Sequence, residues 1–136
     1  MSRIELRSDG RRILVPIKVL KAEAHDLTAV DAIALLDTGA TTSGISAEIA
    51  ERLDLAAMGK RPMGSARGLD FVERYLFRIG FEFLDVYGKP SFPFVFAPIL
   101  GFEIVRGSSF EALIGMDLIH QCDLTLSRNG TGTLTL

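Results

Sequence analysis

Five consecutive apolar residues, Ala32-Ile33-Ala34-Leu35-Leu36, run straight into Asp37-Thr38-Gly39-Ala40. An apolar run of this length reads as a buried strand, and the glycine two residues after the aspartate lets the backbone turn sharply beside it. Asp37 therefore sits where a buried strand emerges. A carboxylate there is costly unless it is paired or used. In isolation the triplet is weak, because an aspartate in a turn commonly hydrogen-bonds its own backbone. The preceding strand is what makes it a candidate functional group. Thr38 adds a short hydroxyl able to bond across to another chain, and Ala40 keeps the surroundings small.

The rest of the chain reads as many short strands. Arg12–Lys18 and Val30–Leu36 are apolar and β-branched, and Pro16 sets the first of them at an edge or bulge. Phe71 to Phe83 alternates loosely, as a long strand pair would, and Phe92–Leu100, with Pro93 and Pro98, reads as an irregular strand. Asn129-Gly130 between Asp123–Leu126 and Thr131–Leu136 is a hairpin signal. Ser46 to Leu53 changes period: Ile49 and Leu53 fall four apart, Ser46 can cap and Glu48 favours the first turn, which predicts a short helix. Met58–Gly68, with its glycines and Pro62, predicts an exposed, mobile loop. The expectation is an all-β chain with one or two short helices, one domain over residues 1–136, and no internal repeat.

Composition closes off several classes. The chain has 136 residues, 24% of them charged, with a net charge of -2 and no basic run beyond Arg11-Arg12, so nucleic-acid binding has little support. No stretch approaches the about 20 apolar residues of a membrane span, and Met1–Glu5 is unlike a signal peptide, so a soluble cytoplasmic protein or an excised domain is expected. Cys122 is the only cysteine, which excludes an intrachain disulfide and a cysteine-based zinc site. His25 and His120 lack a ligand pattern and read as surface or packing residues. No metal and no organic cofactor is expected.

Taken together, Leu35-Leu36-Asp37-Thr38-Gly39-Ala40-Thr41 resembles the active-site loop of retropepsin-like (retroviral-type) aspartic proteases. Leu113-Ile114-Gly115, followed by Met116–Ile119, resembles the second signature of that family, two apolar residues and a glycine before a short helix. Gly64-Ser65-Ala66-Arg67-Gly68 lies where the family carries its flap. The similarity runs from about Ile13 to Leu136 and is greatest to the protease domains of DNA-damage-inducible proteins and their bacterial relatives. It implies an acid-protease half-barrel closed by homodimerisation, Asp37 as catalytic carboxylate, and a polypeptide substrate. Two departures stand out: retroviral enzymes usually place an aspartate at Thr41 and an arginine at Met116, an ion pair missing here on both sides.

Peptide hydrolysis by this chemistry needs two carboxylates sharing one proton. No second Asp-Thr/Ser-Gly exists in the chain, so the partner carboxylate is expected from a second copy across a two-fold axis. Arg3–Arg7 and Thr131–Leu136 both alternate and are candidates for intermolecular strands, the alternative being that they complete the chain's own sheet. Ile33, Leu35, Phe94, Phe96, Ile99 and Ile114 are candidate pocket walls. Arg11 and Arg12 by analogy approach the dimer interface, although a solvated turn fits them better, and Asp117 reads as a helix cap or surface pair. A reading from another class is a catalytically quiet module of the same fold that binds peptides or dimerises.

Overall fold

The computed structural model describes residues 3–65, 68–82, 86–89 and 94–136. The two β-branched runs form the central hairpin, β2 (Ile13–Lys21) against β3 (Ala29–Leu36), with β1 (Arg3–Ser8) leading in. β2 and β3 pair antiparallel from Leu14↔Leu35 to Leu20↔Ala29. In β3, Val30, Ala32, Ala34 and Leu36 are buried while Asp31 and Ile33 are exposed, the period of two that a half-buried sheet requires.

Further along come β4 (Gly44–Ile45), α1 (Ala47–Arg52), β5 (Arg61–Ser65), β6 (Gly68–Val72), β7 (Arg74–Phe81), β8 (Phe94–Val95) and β9 (Ile99–Glu103). The chain ends with β10 (Ala112–Ile114), α2 (Met116–Ile119), β11 (Asp123–Leu126) and β12 (Thr131–Thr135). β2 pairs with β3, β3 with β10, β10 with β4, β4 with β9, β9 with β7, and β7 with β2 again at Lys18↔Gly80 to Lys21↔Phe77. These strands form a closed ring within one chain. A second copy is not needed to close this ring.

The core fills this ring. Tyr75, Phe77, Ile79 and Phe81 all point inward from β7, each worth on the order of 1.5–3 kcal/mol when removed from water. The alternation expected from Phe71 to Phe83 holds for this strand. It breaks before Arg74, since Phe71 belongs to β6 and is exposed, and Phe83 lies outside the described residues. The Phe92–Leu100 run is divided between β8 and β9, with residues 92 and 93 outside the described ones. α1 starts as its sequence predicts: the Ser46 Oγ accepts the Ile49 N–H at 3.2 Å, a cap worth about 1 kcal/mol, and Ile49 and Leu53 are buried.

The β2 edge changes partner along its length. It pairs with β1 at Ser8↔Ile13 and Arg7↔Leu14, then with β7 from Lys18 onward. Pro16, which has no N–H to donate, sits in the interval between the two. The loop from β2 to β3 is held by Arg78, whose buried guanidinium donates to the carbonyl oxygens of Lys21, Glu23 and Asp26 at 2.6–2.7 Å.

Of the two readings of the terminal strands the structure shows the second, and one other expectation is corrected. The terminal strands pair with each other: Arg3↔Thr135 through Arg7↔Thr131 join β1 to β12, and β11 covers the far side of β12 across the Asn129-Gly130 turn. β12 is thus flanked by β1 and β11, whereas β1 meets β2 only at Arg7 and Ser8. The Gly/Pro-rich tract from Met58 to Gly68 is not all loop. Arg61–Ser65 is a strand, paired with β6 from Arg61↔Val72 to Ser65↔Gly68 as a separate two-stranded hairpin. Pro62 is tolerated because β5 has an open edge.

Candidate active site

β3 and β10 run parallel in register, Leu36 opposite Ile114, so the two sequence signatures leave the barrel side by side. Asp37 continues this pairing by donating its N–H to the Ile114 carbonyl at 2.9 Å. The turn then folds back on the carboxylate: the Gly39 N–H donates to Asp37 Oδ1 at 2.9 Å, and the Ala40 N–H to the Asp37 carbonyl at 3.2 Å. Asp37 is half-buried, whereas Thr38 and Gly39 are exposed. Among the described residues, the Gly39 amide is the hydrogen-bond donor found on this carboxylate.

The Asp37 turn is held to the second signature along its whole return. The Met116 N–H donates to the Ala40 carbonyl at 2.8 Å and the Asp117 N–H to the Thr41 carbonyl at 3.1 Å. Gly115 sits at the crossing. A Cβ on it would lie 2.8 Å from the Thr42 carbonyl carbon and 2.9 Å from the Ala40 oxygen. Only a residue without a side chain allows the two loops to approach this closely.

Beneath the crossing lies a polar cluster. Ser43 is fully buried; its Oγ donates to Asp117 Oδ1 at 2.7 Å and accepts the Gly115 N–H at 2.9 Å, while its own N–H donates to Asp117 Oδ2 at 3.0 Å. Asp117 is therefore more than a helix cap, although its Oδ1 does also accept the Leu118 N–H at 2.9 Å. It ties α2 to the strand-entry residue behind the Asp37 turn. Ser43 carries no signal of its own in the sequence, being one hydroxyl in Thr41-Thr42-Ser43. Thr41 and Met116 themselves take part in the contact between the two loops only through their backbones, and the Met116 side chain packs against the core.

The candidate pocket walls separate into two groups. Phe96 and Ile114 are fully buried core residues, so they line no open pocket: Ile114 is inside the barrel on β10 and Phe96 packs edge-on against Phe81. Leu35 and Ile99 are half-buried, and Ile33 and Phe94 are exposed. In the hairpin tip, Gly64, Ser65 and Gly68 are paired residues of β5 and β6, while Ala66 and Arg67 lie outside the described residues. Arg12 belongs to a solvated turn, where it donates to Ser109 Oγ at 2.6 Å and pairs with Asp9 at 3.4 Å. Among the described residues there is no cluster of three metal-ligating side chains, and no helix long and apolar enough to cross a membrane.

The fold has counterparts among solved structures. The chain superposes on the crystal structure of a retropepsin-like aspartic protease from Rickettsia conorii with a TM-score of 0.65 and 17% identity, over 97% of this chain and 89% of that one. The EIAV protease complexed with the inhibitor HBY-793 overlaps with a TM-score of 0.45 and 19% identity, over 82% of this chain and 88% of that one. No family model and no curated protein matches the sequence.

Proposed function

We propose that this chain, whose fold is that of the retropepsin-like aspartic proteases, is an aspartic endopeptidase that works as a homodimer. The observation that carries the reading is the Asp37 carboxylate itself. It is half-buried at the mouth of a strand, fixed through one oxygen by the Gly39 amide, on a turn stapled to the second signature. A module that only binds or dimerises has no chemical need for such a carboxylate.

In the proposed reaction two Asp37 side chains, one from each copy, hold a water between them. The ionised one takes a proton from the water as its oxygen attacks the scissile carbonyl carbon. The protonated one gives its proton to the carbonyl oxygen. Collapse of the resulting diol breaks the C–N bond, with a proton passing to the leaving nitrogen. Like charges this close cannot both be ionised, so the pair shares one proton and activity is a property of the dimer.

The β5–β6 hairpin fits the part of a flap. It stands apart from the barrel sheet, and Leu69 and Phe71 on one of its faces are 67% and 66% exposed. An isolated two-stranded hairpin is marginal in water, so an extended peptide beneath it would both be covered by it and stabilise it.

The test is peptide-library cleavage by the parent chain and by Asp37→Asn, with sedimentation of both. Loss of all cleavage in a variant that still dimerises supports the proposal. Undiminished cleavage by Asp37→Asn would falsify it, and a dimer that cleaves nothing at any pH would favour the quiet module.

A further inference from the structure

The interval in which β2 has left β1 and not yet met β7 opens into a groove of about 560 Å³. Its floor is apolar: Ile4, Pro16, Ile17, Ala32 and Ile33, the last of these 43% exposed although it is a β-branched strand residue. The volume is in the range that holds a small ligand or a few side chains.

Two further features specify what fits. First, the groove is bounded by an open strand edge. β1 pairs with β2 only at Arg7 and Ser8, so among the described residues Arg3–Leu6 meets no strand on that side. In an antiparallel ladder alternate residues turn their N–H and C=O to opposite edges, so half of the backbone groups of this segment face the groove rather than β12. Second, the rim is acidic. Glu5, Asp31, Glu82 and Glu111 line it, against Lys18 alone. Arg3 bridges Glu5 at 2.9 Å and Lys18 bridges Asp31 at 2.6 Å. Lys18 also feels Glu82, yet four carboxylates against Lys18 and Arg3 leave the groove net negative, with Glu82 and Glu111 both exposed.

We propose that this groove docks an extended polypeptide segment that alternates apolar and basic side chains, adding to the β1 edge as a strand. Backbone bonds to Arg3–Leu6 supply sequence-independent affinity, apolar side chains cover Pro16 and Ile33, and lysine or arginine meets Glu82 and Glu111. Where the proposed protease activity holds, the occupant is a stretch of substrate away from the scissile bond. The docking itself makes no use of Asp37.

The experiment uses the full chain carrying Asp37→Asn, so that no probe is cleaved. A fluorescein-labelled peptide of four Lys-Val repeats is titrated by anisotropy beside its Glu-Val counterpart. Saturable binding of the Lys-Val peptide alone is expected. The double variant Glu82→Lys/Glu111→Lys should weaken it by about tenfold or more, as should Ile33→Arg, which fills the groove. All three positions are exposed, and thermal melts confirm that the variants fold. Equal affinity of the Lys-Val peptide for parent and variants, or no saturation, overturns the proposal. So does a change in subunit assembly on altering the groove, which would make a second copy its occupant. Because the readout is binding, an inactive parent chain leaves the result interpretable.

Discussion

Ser43 and Asp117 stand 74 residues apart and are joined twice, by the hydroxyl at 2.7 Å and by the backbone N–H at 3.0 Å. Through the Gly115 amide the same hydroxyl fixes the second signature, so one buried serine sets the spacing between the two loops that carry the site.

Ser43→Ala leaves the Gly115 N–H without its acceptor and removes one of the Asp117 bonds, both in buried or half-buried surroundings. A loss of about 1–3 kcal/mol in urea unfolding is expected. Cleavage should fall further than stability alone accounts for, since a shift of about 1 Å in a catalytic group can cost up to 100-fold. Asp117→Asn keeps the shape and one acceptor, and should be milder on both measures.

The two signature glycines should respond differently to alanine. At Gly115 the added Cβ meets backbone atoms at 2.8–2.9 Å that belong to the opposite loop, and Gly115→Ala should cost about 2–3 kcal/mol or prevent folding. At Gly39 the nearest atom is Asp37 Oδ1 at 3.2 Å. Gly39→Ala should leave the melting temperature within a few degrees of the parent and lower kcat, because what must give way is the carboxylate.

Arg78 is a buried cation whose Nε and Nη2 donate to three carbonyl oxygens at the end of β2 and in the loop to β3. Arg78→Met deprives three carbonyls of their donor and should lower stability by about 2–4 kcal/mol by thermal unfolding. Arg78→Lys should recover only part of this, since an ammonium cannot reproduce the fork of the guanidinium.

Burial, and after it the hydrogen bond to Glu103 at 2.8 Å, pushes the Tyr75 phenol from its ordinary 10.0 up to about 12. The unfolded chain then loses its proton first as pH rises. The contribution is fully present below pH 10, declines between about 10 and 12, and is constant above that. Urea unfolding across this window should show a loss of about 2 to 3 kcal/mol from this group, and Tyr75→Phe should abolish that part of the slope.

What was legible in the chain is what consecutive residues encode. The apolar run into Asp37-Thr38-Gly39 specified a strand ending in a tight turn, Ser46 with Ile49 and Leu53 specified α1, and Asn129-Gly130 specified the last hairpin. Each of these rests on a period or on the dihedral preference of one residue, which needs no distant partner. The Gly/Pro-rich stretch before Gly68 misled because its breakers are tolerated in an open-edged hairpin, and edge status is not a local property.

The amino-acid sequence by itself thus determined the central strands β2 and β3, the α1 cap, the last hairpin turn and the one Asp-Thr-Gly carboxylate. Tertiary structure alone decided that β1 takes β12 of its own chain, that Phe96 and Ile114 go to the core rather than to a pocket, and that Ser43 finds Asp117. The reason is physical. Dihedral preferences and hydrophobic period act over a few residues, whereas the choice among several equally suitable strand edges, apolar faces and hydroxyls is made by which combination closes the ring and leaves no buried polar group unpaired.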